Sequence, residues 1–481
     1  MEAHNSETIN MKRISVILLI CYFVLSIGFY FLADEKLLYC ESAGEVILPN
    51  AETVATDLVA GTTVEQFFAV NINKLESISI QMGSYSRENY GTLTMELYSL
   101  EDNHILACEK YDVSLVTEGS LLTMVTEHVD KDLYGVPLKL KIYSDSSENE
   151  AVVPLMNISG NDGKNLLQSN GETLPGTLCM SVTGKDYLWI GQYYWIIVLA
   201  IAVLLSGYLI FVNYKESHSK KTFLGKLFFT INKYSFLIKQ LVGRDFKTKY
   251  KRSVLGVFWS FLNPLLTMSV QYLVFSNLFR FDIPYYPVYL LCGIIMFNYF
   301  SEACGMALSS IVGNAGLITK VYMPKYIYPL TRIMSSLVNL VISMIPLFIV
   351  SMISGLFPTK AYLLIPYVLL CIAIFCLGLG MLLAAAMVFF RDIEFLWGVI
   401  TTIWMYLTPT FYPASILPAN IAWVLELNPL YYFITFLRCC IIEGVSPEPL
   451  LYLQSAVIAV GMFICGSVIF KKTQDKFALY I

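Results

Sequence analysis

Charge and histidine are scarce in this 481-residue chain. Only 14% of its residues are charged and four are histidine, whereas 56% are hydrophobic and the mean hydropathy is +0.62. A soluble protein carries about 25% charged and roughly 45–50% apolar residues. That shortage of charge excludes a soluble enzyme and a disordered chain. The eleven cysteines nowhere take the C-x-x-C spacing of a zinc or redox site. Cys21, Cys292, Cys371, Cys376 and Cys465 lie in apolar runs as inert packing residues. Cys40, Cys108 and Cys179 fall in an acidic block, where an odd number allows at most one bridge. The chain also lacks G-x-x-x-x-G-K-[ST] for nucleotide phosphates and the G-x-S-x-G nucleophile turn. No series of acids or histidines within the apolar runs suggests proton or sodium coupling. If the chain does work, its energy comes from another polypeptide.

What is abundant is long apolar runs. A spanning helix needs roughly 20 mainly apolar residues. Candidates are Ile14–Leu32, Ile190–Val212, Val254–Phe279, Tyr286–Phe300, Ile333–Leu356, Leu363–Phe390, Phe395–Phe411 and Leu450–Phe470. The expected fold class is therefore an α-helical polytopic membrane protein of about eight spans. Its first run, 19 residues long, exceeds the ~7–15-residue core of a signal peptide and reads as a retained anchor.

Charge divides the chain sharply. Residues 34–186 hold 24 Asp+Glu against 9 Lys+Arg, and the remainder holds 12 against 23. The connection Asn213–Ser253 has 11 Lys+Arg and 2 acids, which assigns it to the cytoplasm by the positive-inside rule. Lys471, Lys472 and Lys476 place the C-terminus there too. Counting back, the N-terminus is cytoplasmic and the acidic block lies outside.

That block alternates with period two. Leu138, Leu140 and Ile142 share one face of Pro137–Asp145; Leu93, Met95 and Leu97 do so in Thr92–Ser99, and Ile78 and Ile80 in Ser77–Met82. Polar clusters at Ser144–Asn149 and Ser159–Gly163 separate the runs. This is the pattern of an inserted antiparallel β-sandwich of about 150 residues. Such a domain serves either to bind sugar or as a spacer, and fold alone does not decide.

Three further segments carry information. Tyr234, Ile238, Val242, Phe246 and Tyr250 recur every fourth residue, with Lys239, Arg244, Lys247 and Lys251 on other faces. That predicts an amphipathic helix along the cytoplasmic membrane surface, either a lipid anchor or a gating element. Asn314 can cap a short helix over Ala315–Tyr322, ended by Pro324 and flanked by Lys320 and Lys325. Between Tyr412 and Pro449, Pro413, Pro418 and Pro429 interrupt an apolar stretch, and Tyr431–Ile442 is too short to span. The pair reads as a re-entrant hairpin or an interfacial loop. The many aromatics near span ends form an interfacial belt, or some of them line a passage and stack on sugar rings.

Leu241–Leu266, LVGRDFKTKYKRSVLGVFWSFLNPLL, resembles the opening segment of permease subunits of polysaccharide ABC exporters, which include O-antigen, capsule and teichoic-acid exporters. Further matches follow in order: Tyr289–Phe300 (YLLCGIIMFNYF), Ser309–Pro324 (SSIVGNAGLITKVYMP), Phe389–Glu394 (FFRDIE), Leu407–Pro413 (LTPTFYP) and Leu427–Tyr432 (LNPLYY). Together they cover about Phe236–Ile481.

The resemblance implies a six-span type-two ABC exporter permease core. It also implies a homodimer with the glycan passing along the interface, and a separate cytoplasmic ABC ATPase subunit. ATP and Mg would be bound by that partner, with no cofactor, metal or catalytic residue on this chain and no nucleic acid among its partners. The organisation then reads as a cytoplasmic N-terminus and anchor (1–33), an extracytoplasmic β-rich domain (34–188) and a second spanning helix (189–213). A basic linker with the gate helix (214–253) and the permease core (254–481) follow. Lipid-linked polysaccharide would present its diphosphate to Arg244, Lys247, Lys251 and Arg252, and its sugars to Tyr289, Phe297, Tyr299, Tyr406 and Tyr412. Asn314, Leu317, Lys320 and Tyr322 would couple the chain to the ATPase. Such permeases begin near the gate helix, so the resemblance is silent before about Phe223. A rival expectation is a membrane-anchored sensor or scaffold of envelope glycan assembly that uses the outer domain. A membrane-embedded enzyme on lipid-linked sugars would need a carboxylate or histidine constellation that the sequence lacks.

Overall fold

A computed structural model describes residues 11–481 except 47–50, 103, 127, 128, 130, 159–164, 218–222, 252, 277–282, 319–322, 417, 419–422 and 481. The chain divides into two compact units, Leu37–Tyr194 and a helical unit formed by Met1–Lys36 with Trp195–Ile481.

Alternating apolar residues build the smaller unit. One sheet has the lateral order Tyr39–Val46, Met180–Tyr187, Lys74–Gly83, Val153–Asn157, Thr177–Leu178; Leu121–Val125 also pairs with Lys74–Gly83, and Thr53–Val54 with Val153–Asn157. The second runs Glu172–Leu174, Leu166–Ser169, Thr63–Ala69, Pro137–Ser144, Thr92–Ser99, His104–Asp112. Both sheets are open, and their strand ladders are antiparallel. Leu138, Leu140, Ile142, Leu93, Met95 and Leu97 of one sheet and Ile78 and Ile80 of the other are fully buried, in a single cluster. Each such side chain contributes about 1.5–3 kcal/mol on burial. The tight turn at Asn170-Gly171 follows the hairpin rule: both residues have positive φ, 48° and 85°, which Asn-Gly tolerates and most pairs do not. The polar turn expected at Ser159–Gly163 lies outside the described residues. All eleven cysteines are free thiols.

In the helical unit, α1 (Met11–Ala33) and α2 (Tyr194–Ser217) lie together. Tyr22 donates from its hydroxyl to the Val198 carbonyl at 2.9 Å, and Asn213 donates to Ser15 at 3.1 Å. The amphipathic α3 (Phe223–Tyr250) follows, then α4 (Phe258–Val274), α5 (Tyr286–Leu308), the single turn α6 (Ala315–Ile318), α7 (Ile327–Ile353) and α8 (Ile365–Phe389). The series ends with α9 (Ile393–Leu407), α10 (Pro429–Arg438) and α11 (Pro449–Thr473). Helix α5 is buried along most of its length and packs on α7, α8, α4 and α10. Helices α8 and α11 approach so closely that a Cβ on Gly466 would fall on the backbone of Gly378. Close approach of this kind is what small residues permit between helices in lipid.

Among the described residues six helices are long and apolar enough to cross a membrane: Lys12–Ala33, Tyr194–Lys215, Tyr286–Leu308, Ile327–Ile353, Lys360–Phe389 and Pro449–Lys476. The two other expected spans are shorter as helices. Helix α4 has 17 residues, with Pro264 inside it, and residues 277–282 lie outside the description. Helix α9 has 15, about 22 Å at ~1.5 Å per residue, against a hydrocarbon core of roughly 30 Å. It stops at Thr408 because that residue is extended (φ −95°, ψ 130°) and Pro409 follows. The apolar run continues past the break, which is why hydropathy alone extends the span to Phe411.

Candidate functional site

Two polar features stand at opposite ends of α5. The first is a seam at its Glu302 end. Helix α3 forms because apolar residues recur once per turn without proline. Its Leu241 is buried, and Tyr234, Leu237 and Ile238 pack beside it on Ile311, Ile327, Tyr328, Met381, Ala384 and Val388. Leu317 and Ile318 of α6 join the same cluster. The helix and the 311–318 turn therefore share one core.

Just beyond this cluster α3 turns polar. Asp245, whose side chain is 4% exposed, lies between Arg244 (2.9 Å) and Arg332 of α7 (3.1 Å). One turn on, Lys249 donates to Glu302 of α5 at 2.7 Å. The other oxygen of Glu302 accepts from Asn339 at 2.7 Å and Ser336 at 3.2 Å, both on α7. Asn339 in turn accepts from the Tyr250 hydroxyl at 2.9 Å, and Tyr250 also meets the Ser260 hydroxyl of α4. A lone charge at the centre of a bilayer costs roughly 2.5–3.5 kcal/mol on insertion scales. Here Asp245 and Glu302 each have a cation, and Glu302 has two neutral donors besides. Four helices are tied by the seam. An open groove of about 710 Å³ runs beside it, lined by Arg244, Asp245, Thr248, Asn314 and Arg332. A second, smaller cavity of about 290 Å³ begins at the Lys249–Glu302 pair.

The second feature is at the Tyr286 end. Helix α10 starts where Asn428 accepts from the Leu430 N–H at 3.1 Å and Pro429 occupies its first position, a strong helix start. Asn428 also accepts from the Trp404 indole at 2.9 Å and donates to Thr408 at 2.9 Å, fixing α10 against the end of α9. The last residue of α10, Arg438, is buried. Its guanidinium donates to the carbonyls of Pro409 (2.9 Å), Thr410 (3.2 Å) and Tyr289 (3.3 Å), and its central carbon stands 3.4 Å over the Tyr289 ring. Among the described residues no carboxylate pairs with it. Tyr289 and Tyr286 donate their hydroxyls to the Tyr412 and Phe411 carbonyls at 2.9 and 2.7 Å.

Three of the expected pathway residues meet here. Tyr289 bonds to Tyr412, and the Tyr412 hydroxyl donates to the Tyr406 carbonyl at 2.8 Å. Phe297 is buried among helix-core residues, and Tyr299 lies deep in α5, lining the smaller cavity. Of the basic quartet, Arg244 alone lines the open groove; Lys247 and Lys251 are exposed apart from it, and Arg252 lies outside the described residues. Among the coupling residues, Asn314 donates back to the Ser310 carbonyl at 2.7 Å and Leu317 joins the α3 cluster. Lys320 and Tyr322 are outside the description, as is the second half of the helix expected over 315–322. Sequence reasoning missed Asp245, Lys249, Arg332, Asn339 and Arg438. The i, i+4 spacing of Asp245 and Lys249, which puts both on one helix face, was the available signal. Arg438, a lone charge inside an apolar run, was another.

A family model described as ABC-2 type transporter matches residues 236–441. An O-antigen export system permease protein of Myxococcus xanthus is 34% identical over 249 residues, 51% of this chain and 95% of that protein. One from Klebsiella pneumoniae is 28% identical over 246 residues, 50% of this chain and 93% of its own length. A capsule polysaccharide export inner-membrane protein of Neisseria meningitidis serogroup B is 26% identical over 190 residues, 38% of this chain and 71% of that protein.

Proposed function

The chain belongs to the polysaccharide-export permeases of the ABC-2 type transporter family, and from that premise we propose that it is the membrane-spanning subunit of an ATP-driven exporter of lipid-linked polysaccharide. The observation that carries the mechanical part of this reading is the shared core of α3 and the 311–318 turn. An ATPase subunit docking on that turn would push on α3 through packed apolar side chains, and a packed core transmits displacement. Helix α3 is bonded through Lys249 and Tyr250 to α5, α7 and α4. Motion at the turn would thereby reach the helices that enclose the charged groove.

In this reading the basic 213–253 connection and the C-terminus face the cytoplasm, and the β-rich unit faces outward. Two copies pair about a two-fold axis, and rigid-body movement opens a path between them. The open groove beside Arg244 and Arg332 would receive the diphosphate end of the carrier. The tyrosine corner at Tyr289, Tyr412 and Tyr406 would meet the sugars as they leave. We read the two sheets, which share one core, as the faces of a sandwich that contacts the emerging polymer.

Purification of the full chain from its native membrane in mild detergent tests the reading. The expected result is a stoichiometric ATPase subunit whose turnover responds to lipid-linked glycan, together with loss of surface polysaccharide when the gene is deleted. Alanine at Lys320 or Tyr322, or Leu317→Asp, should leave ATP turnover but abolish export. Purification without an ATPase, with surface polysaccharide intact in the deletion, would return the chain to the sensor or scaffold reading.

A further inference from the structure

The smaller cavity, about 290 Å³, lies among the end of α3, α4, α5 and α7 within a single chain. Its volume is at the small end of the range for small-molecule sites, about 300–1,000 Å³. It has room for one compact ring and not for a string of them. Its wall is unusual for helices that otherwise read as membrane spans. Tyr250 and Trp259 supply aromatic rings to its lining, and Asn263 and Asn298 supply amides. Asn263 and Asn298 are exposed and their side chains make no hydrogen bond among the described residues, and the buried Tyr299 hydroxyl has no partner there either. A buried hydroxyl left unmatched inside a helix long enough to cross a membrane is expensive, and it marks a ligand or a conduction path.

The electrostatics narrow the ligand. The two charges of the wall, Lys249 and Glu302, pair with each other at 2.7 Å. No net cation remains to offset a phosphate or diphosphate, and the Glu302 carboxylate would repel one. Amides and hydroxyls offer donors and acceptors together, which is the complement of a neutral polyol. Aromatic faces stack on the C–H faces of a sugar ring. We propose that this cavity binds one neutral pyranose ring, held by the unmatched amides of Asn263 and Asn298 and the Tyr299 hydroxyl between the Tyr250 and Trp259 rings. The inference rests on the exporter reading for the source of the ring, a sugar of the lipid-linked substrate. It places that ring within one protomer, beside the charged groove.

The probe is an alkyl glucoside carrying a diazirine on the sugar, used below its micellar concentration on the full chain in phosphatidylglycerol–phosphatidylethanolamine nanodiscs. Illumination and peptide mapping should place adducts on the segments bearing Trp259 and Asn298. Excess octyl glucoside should suppress them at least tenfold, and octyl phosphocholine should not. Tyr299→Phe removes only a hydroxyl without a protein partner, so melting should be unchanged while the octyl glucoside needed for competition rises about two- to tenfold. Asn263→Leu should act in the same direction from a different helix. Equal competition by octyl phosphocholine identifies a lipid-headgroup slot and overturns the inference. Absence of adducts on these segments overturns it as well, as does competition unaltered by both variants. Export is scored separately in gene-deleted cells. Adducts with export intact would sink the exporter reading and leave the site; export lost without adducts would sink the site alone.

Discussion

Arg438 gives the sharpest quantitative test. The carbonyls of Pro409 and Thr410 belong to the extended break after α9 and accept no other hydrogen bond among the described residues. The third carbonyl, of Tyr289, is inside a helix and keeps a helical donor from the ladder when the arginine is lost. Arg438→Met leaves two buried acceptors unmatched, at about 1–3 kcal/mol each. It also removes the contact over the Tyr289 ring, about 2 kcal/mol when desolvated. Against this stands the relief of a buried charge, several kcal/mol in real proteins. The balance is a loss of about 2–4 kcal/mol by that reasoning, concentrated where α10 meets α5 and α9. Two fully buried thiols report on it, Cys292 of α5 and Cys440 just past α10. If they react only after local opening, a loss of that size speeds maleimide labelling about 30- to 700-fold, at tenfold per 1.4 kcal/mol. The assay is labelling of the full chain in nanodiscs, with rates read for each cysteine by peptide mass. Arg438→Lys should recover less than half of the loss, because an ammonium cannot present the planar fork that serves two carbonyls at once. Labelling of Arg438→Met within about threefold of the native rate would refute the idea that the arginine holds this corner.

Other perturbations have smaller or more local outcomes. Gly466→Ala would place a methyl on the Gly378 backbone, and overpacking of a rigid helix contact should cost about 1–3 kcal/mol in detergent melting curves; an unchanged curve would reject the close α8–α11 contact. A double-mutant cycle of Glu302→Gln with Lys249→Met should give a coupling of about 1 kcal/mol or less, since both side chains are partly exposed at 30% and 40%. Coupling above about 3 kcal/mol would mean that the pair is far better desolvated than the structure has it. In the β-rich unit, the Glu118 carboxylate accepts from the backbone N–H of Ser84 at 2.8 Å, from Ser86 at 3.3 Å and from the Ser84 hydroxyl. Those bonds, the Ser84 N–H foremost, hold its pKa below the usual 4.5. A depressed carboxylate stabilises the fold fully above the unfolded value and loses that contribution as pH falls through the folded one. Rate-corrected hydrogen exchange in residues 83–91 should therefore rise as pH drops below 4.5. Glu118→Gln should raise that exchange at neutral pH and flatten the response.

Much of the framework was readable from side-chain period alone. The alternation of Leu138, Leu140 and Ile142 buries one face of its strand, as period two demands, and the once-per-turn spacing from Tyr234 to Leu241 packs α3 on the helical core. Hydropathy failed where the backbone breaks inside an apolar run. Thr408 and Pro409 end α9 while Phe411 and Tyr412 continue the apolar count, and a window average does not register a dihedral. Arg438 was illegible for a different reason. Its partners are main-chain carbonyls, which every residue possesses, so nothing in the sequence announces them. Of the basic residues expected at the carrier's diphosphate, Arg244, Lys247, Lys251 and Arg252, only Arg244 lines the groove among the described residues, since helical phase and not charge count decides which side chain faces a partner. The face was marked by Asp245, one turn before Lys249.

The two polar features also differ in strength, and that difference has a mechanical consequence. Tyr289 and Glu302 are 13 residues apart on α5, about 20 Å at ~1.5 Å per residue. Between them the helix is buried almost throughout, and at Gly293 a Cβ would stand 3.1 Å from the Thr410 backbone. So confined, and tied to α10 through Arg438, α5 should move as one body with α9 and α10. Displacement arriving through the 311–318 turn must then be absorbed where contacts are weakest. The partly exposed Lys249–Glu302 pair is worth about 1 kcal/mol at most, against about 2–4 kcal/mol at the carbonyl-bound arginine. The seam between α3 and α5 should open first, exposing the smaller cavity, while the Arg438 corner holds its geometry. Distances between spin labels across α3 and α5 should change through the ATP cycle, and those across α5 and α10 should not. The reverse pattern would assign the moving boundary to the tyrosine corner.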